Sequence, residues 1–167
     1  MYGYISDLYY STFGAEYPDD NINSKIDKSN SFYYLSLLNE TKDIDNPRFS
    51  IHGLWPQYNK TTYPSYCRDI TFSLDALKSI ISDLNTYWYS NMEKNQDFWE
   101  HEYKKHGSCM FTKMTELQYF QKALDLYYQA KSQGLPIKFY NHDTHKCLIP
   151  VSLEFEFIKP DDVTVSI

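Results

Sequence analysis

The chain has no excess of positive charge, no long apolar run and few cysteines, and each shortage closes off a class of function. Its 16 Lys and Arg against 22 Asp and Glu leave a net charge of −6. Stable packaging or repression of nucleic acid draws on broad basic surfaces, so this balance argues against such roles. It leaves room for an enzyme that must release a polyanionic product. No apolar stretch approaches the ~18 residues of a membrane-spanning helix, so no membrane partner is expected. The first residues lack a basic stretch followed by a long apolar core, and no signal peptide is visible there. Only Cys67, Cys109 and Cys147 carry thiols. The odd count admits one disulfide with one free thiol, or three reduced thiols.

What is abundant is aromatic: 18% of the 167 residues, with 17 Tyr and 10 Phe, predicting a tyrosine-rich core. The length suits one domain with a proper core. Residues 1–30 are expected to form a partly irregular arm, ahead of a single domain over 31–167. Phe32 to Leu38 reads as an apolar-aromatic strand, and Arg48 to His52 as a second short strand ended by Gly53. Leu74, Leu77, Ile80, Ile81 and Leu84 predict a helix over 73–85 with Ser73 as N-cap. Thr115 and Gln118 form a capping-box pattern that opens a helix running to Gly134. Leu135-Pro136-Ile137 predicts a strand-like tail. His142 and His145 read as solvated, and alternation over Val151 to Ile158 predicts a half-buried antiparallel strand. Asn39-Glu40-Thr41 and Asn59-Lys60-Thr61 are glycosylation acceptor tripeptides that fit a secretory route.

The chemistry concentrates in Trp99 to Ser108, W-E-H-E-Y-K-K-H-G-S. On a helix, His101, Lys105, Glu102 and His106 fall within roughly 140° of one another, so two imidazoles, a carboxylate and an ammonium share a face. Gly107 is the residue type that ends such a helix. His101-Glu102 begins like a zinc-protease motif, but position 105, where the second ligand is needed, is Lys. A lysine ammonium would repel the cation, so no metal is expected. The set suits proton transfer at a centre that accumulates negative charge, phosphorus being the obvious candidate, with another imidazole supplied from elsewhere. His52-Gly53-Leu54-Trp55-Pro56 offers one, held at a strand end against Trp-Pro.

Together, Phe49–Pro56 and Phe98–Cys109 resemble the paired active-site segments of the acid ribonucleases called the ribonuclease T2 family. The close resemblance covers about twenty residues and extends loosely from Phe32 to Phe157. It implies an α+β fold, a central antiparallel sheet with helices packed against it. It implies cleavage of single-stranded RNA through a 2′,3′-cyclic phosphate, without cofactor or metal, by a monomer.

Carried over by position, His106 corresponds to the base on the ribose 2′-hydroxyl and His52 to the acid on the leaving 5′-oxygen. His101 corresponds to the phosphate-holding histidine, and Glu102 with Lys105 to the pair around the phosphorane. Trp55 and Phe98 match aromatics that line the site and stack on a base, with Gln57 and Tyr58 beside them as substrate-binding candidates. The resemblance also pairs Cys67 with Cys109 and leaves Cys147 without a partner, which implies a secreted or endomembrane-lumenal protein. Three departures stand out. Leu38-Asn39-Glu40 occupies the place of a base-reading Gln-Trp-Pro, Gln57 that of an acidic residue, and Tyr103 that of a Trp. A binding or toxin-like protein that has lost catalysis is the alternative reading.

Overall fold

A computed structural model describes residues 30–159. Its centre is an antiparallel sheet of strands β1 (Phe32–Asn39), β2 (Phe49–Gln57), β3 (Tyr140–Asn141) and β4 (Lys146–Val151), in the order β2-β1-β4-β3. Around it lie helices α1 (Ile81–Tyr87), α2 (Asn95–Lys105), α3 (Glu116–Ser132) and the short α4 (Leu135–Lys138). The α+β class expected from the sequence is what the structure has. Among the described residues, no helix is long and apolar enough to cross a membrane.

Alternation along β1 sends Tyr33, Leu35 and Leu37 into the core, where Tyr119, Phe120, Leu124 and Tyr127 of α3 meet them. Both ends of α3 are fastened as expected. Thr115 accepts from the Gln118 amide and Gln118 reciprocates, while Gly134 sits at φ 66° beyond the last turn. Tyr119 and Tyr127 donate from their hydroxyls to the carbonyls of Leu54 and Phe49, fixing the helix to β2 at two points.

The second strand departs from the expectation. It does not stop at Gly53 but continues to Gln57. Leu37 pairs with Ile51 and Ser36 with Gly53, so His52 is an extra residue and bulges from the ladder. The bulge lets Ile51 and Leu54, three apart, both reach the core. Gly53 is required for another reason: a Cβ there would collide with the Trp55 indole nitrogen and a Glu102 carboxylate oxygen.

Other differences have local causes. The stripe over 73–85 divides into a 3-10 turn (Leu74–Leu77) and α1, and Ser73 precedes the turn without a side-chain cap; its amide donates to Glu116 instead. Leu135–Lys138 is helical rather than strand-like, because Gly134 opens a new turn and Pro136 suits a first-turn position. The last strand lies at Lys146–Val151, not over Val151–Ile158. Phe155, at φ 65°, turns the chain there, and only a Val151–Phe157 bridge is left. His145 is not simply solvated: its Nδ1 lies 2.8 Å from the Tyr140 hydroxyl. Asn39 is buried, and its side chain accepts from the Arg48 amide and donates to the Asp43 carbonyl, whereas Asn59 is exposed. The expected arm falls, but for its last residue, outside the described residues.

Candidate active site

Two elements that are distant in sequence converge on one indole. Trp55, 3% exposed, lies with its ring 5.2 Å from that of His52 (edge to face) and 5.2 Å from that of His106 (stacked). Its Nε1 donates to Oε2 of buried Glu102 at 2.8 Å, and Oε1 of the same carboxylate stands 3.9 Å from His52 Nε2. The bulge presents His52 to this cluster. Its carbonyl accepts from Trp88 Nε1 at 3.1 Å, and the Trp88 carbonyl accepts from Trp99 Nε1 at 2.5 Å. A two-indole relay therefore ties the bulge in β2 to the helix that carries Glu102.

Helix α2 ends at Lys105 with His106 as its C-cap. Gly107 does not end it by a left-handed turn, since Gly134 is the one glycine at positive φ among the described residues. Gly107 is needed because the Tyr103 ring leaves no room for a Cβ. His106 is buried, and its Nδ1 makes no hydrogen bond within the described residues. Burial first, and then the charges of Lys105, His101 and His52, hold its pKa well below the usual imidazole value. It is the neutral imidazole of the pair. His52 is partly exposed, and the Glu102 carboxylate stands beside it.

These groups line a narrow cleft, with Gln57, Tyr63 and Lys105 completing its wall. Of the residues expected from the sequence, His52, His106, Glu102, Lys105, Trp55 and Gln57 thus come together. Phe98 flanks the cleft, its ring edge-on to His52 at 5.5 Å. His101 lies one turn before Lys105, its ring 6.4 Å from that of Tyr66. Tyr58 is set apart, with its ring 6.1 Å from Phe111. Tyr63 is not marked in the sequence, yet it is buried in the cleft wall 6.4 Å from the His106 ring. One tyrosine in a loop, among 17 in the chain, carries no periodicity that would single it out.

The cleft's outer loop is stitched to the end of α2. Cys67 and Cys109 form a disulfide, and Cys147 is a free, buried thiol. The Cys67 amide donates to Ser108 Oγ, Arg68 Nε to the Ser108 carbonyl, and the Tyr66 amide to the Lys105 carbonyl. Among the described residues, no group of three His, Cys, Asp or Glu is placed to hold a metal ion.

Comparison with known proteins follows the same stretch of chain. A model described as the Ribonuclease T2 family matches residues 23–135. Ribonuclease DdI of Dictyostelium discoideum is 41% identical over 81 residues, covering 47% of this chain and 36% of that protein. A ribonuclease-like storage protein of Panax ginseng is 36% identical over 87 residues, covering 51% of this chain and 36% of its own length. The matched stretch therefore spans little more than a third of these relatives. Ribonuclease MC1 from bitter gourd seeds superposes with a TM-score of 0.59 at 21% identity, over 75% of this chain and 91% of that one, a likeness of fold.

Proposed function

The chain belongs to the Ribonuclease T2 family, and from that premise we propose that it is an endoribonuclease cleaving single-stranded RNA by transesterification. The observation that carries the reading is the contrast between two imidazoles on one indole. His106 is buried and held neutral, while His52 is partly exposed beside a carboxylate. A base and an acid with separated proton affinities are what the reaction needs at mildly acid pH.

In the first step, His106 takes the proton of the ribose 2′-hydroxyl and the 2′-oxygen attacks phosphorus. The P–O5′ bond breaks as His52 delivers its proton to the departing 5′-oxygen, leaving a 2′,3′-cyclic phosphate and a 5′-hydroxyl. Lys105, in the cleft wall, faces the negative charge that builds on the phosphorane, and His101 holds the phosphate. Glu102 accepts from Trp55 Nε1 and keeps His52 oriented. Trp55, closed in by both imidazoles, acts by positioning them, whereas Phe98, edge-on to His52, is the aromatic proposed to meet a base. DNA lacks the 2′-hydroxyl and is not cleaved. The Cys67–Cys109 disulfide and the exposed Asn59 acceptor fit a secreted or lumenal protein that works as a monomer.

Incubation with a set of RNA homopolymers in the presence of EDTA tests the reading. Cyclic-phosphate ends should appear, with a base preference. Uncut RNA would leave the protein beside relatives named for storage, and cleavage abolished by EDTA would point to a metal-bound hydroxide.

A further inference from the structure

One residue bonded to the backbone of the cleft-lining Lys105 is held in a conformation its side chain does not favour. Tyr66 has φ 52°, in the left-handed region that bulky residues seldom enter. Local structure fixes it on both sides: its amide donates to the Lys105 carbonyl at 2.9 Å, and the next residue is the disulfide-bonded Cys67. Despite that anchorage the side chain is 45% exposed, one of the few large aromatic residues so open to solvent. Its ring lies edge-on to His101, 6.4 Å between centroids. Backbone strain at a position over-determined by its surroundings tends to gather at functional sites. Here the strained turn holds an aromatic ring beside His101, the side chain proposed to hold phosphate, and ties its backbone to the Lys105 carbonyl.

We propose that Tyr66 is a substrate-binding residue, an aromatic platform on which the base of a nucleotide next to the scissile phosphate stacks. The proposal rests on the ribonuclease reading of the cleft. A π-face accepts any base, so the platform adds affinity for single strands without dictating sequence. It also compensates for the acidic balance of the chain, which offers little long-range attraction to RNA. Tyr63 lines the cleft, and Tyr66 follows three residues later on the loop that the disulfide pins.

The left-handed backbone supplies an unusually clean test. Tyr66→Gly removes the ring at a φ that glycine adopts freely, so the fold should keep or gain stability. Steady-state cleavage of a single-stranded oligoribonucleotide should then show KM raised at least ~5-fold, the smallest effect expected for one stacked base, with kcat changed far less. Tyr66→Phe should bring KM back towards the parent value. An unchanged KM in Tyr66→Gly overturns the assignment. So does a fall in kcat alone, which would make the ring a support for His101 and Lys105. A parent chain that does not cleave RNA overturns the underlying reading, and this proposal with it. Where the parent cleaves, the variants bear on Tyr66 alone.

Discussion

The bulge in β2 and the C-terminal end of α2 each bring one imidazole to the same tryptophan ring, and they do so by opposite means. The strand adds a residue, so His52 is pushed out of the ladder and reaches partial exposure beside Glu102. The helix instead closes over its histidine: His106 caps the last turn, is buried, and is crossed by the stitches of the 63–68 loop. The same side chain thus meets two environments: His52 is partly exposed and faces a carboxylate, while His106 is buried, and burial with nearby positive charge lowers its proton affinity. On the acid–base reading proposed above, backbone geometry prepares that division of labour before any substrate arrives.

The widest gap between the two regions should appear when the helix end loses its staple. On the chain-entropy model, a loop with a sequence separation of 42 is worth about 4 kcal/mol. Replacing Cys67 and Cys109 by Ser should lower unfolding stability in urea by that order. A loss below ~1 kcal/mol would mean that packing alone holds His106 in place.

Next in size, His52→Ala and His106→Ala should each reduce RNA cleavage at least ~100-fold, or about 2.7 kcal/mol in barrier. Their pH profiles distinguish the roles. The parent's kcat/KM should trace a bell whose acid limb, set by His106, lies well below the ordinary imidazole value. Residual turnover above a tenth of the parent rate in either variant contradicts the two-histidine assignment.

Gly53→Ala places a methyl on both the Trp55 indole and the Glu102 carboxylate. Roughly 1–3 kcal/mol of stability should be lost, as for other overpacked sites, together with cleavage. A variant that is as stable and as active as the parent shows that the indole–carboxylate bond is dispensable.

The smallest effect is on stability against pH. An unfolded histidine binds its proton below about pH 6.5, whereas folded His106 resists it. The unfolded state thus takes up the extra proton. Stability is full above that pH and falls as pH drops below it, with a slope of at most ~1.4 kcal/mol per unit from this group. The slope should flatten in His106→Gln when unfolding is compared at pH 5, 6 and 7, and equal slopes in the two proteins would mean that His106 is not held neutral.

Much of the architecture is legible in the sequence because it follows short rules. Alternation marks β1, the capping box and Gly134 bound α3, and the paired motifs locate His52, Glu102, Lys105 and His106. Failures come where a residue serves a neighbour rather than its own element. Gly53 and Gly107 read as terminators, but each makes room for a side chain from a different part of the site: Trp55 and Glu102 in one case, Tyr103 in the other. Alternation over 151–158 is real in sequence, yet Phe155 turns the chain there and stacks its ring 5.1 Å from that of Tyr33. Tyr63 and Tyr66 sit in a loop whose path is set by a disulfide and by hydrogen bonds to residues some forty positions away, information no local window contains.

The bulge has a consequence for how this protein can change. In genetic terms His52, the acid of the proposed mechanism, occupies a one-codon insertion: without it, Ile51 and Leu54 would stand two apart, the phase an uninterrupted strand wants. Loss of that codon would repair the ladder and remove the proposed acid in a single event. For β2, then, drift towards ideal pairing and drift towards inactivity are the same step, and a lineage selected only for a durable fold has a short road to a silent one.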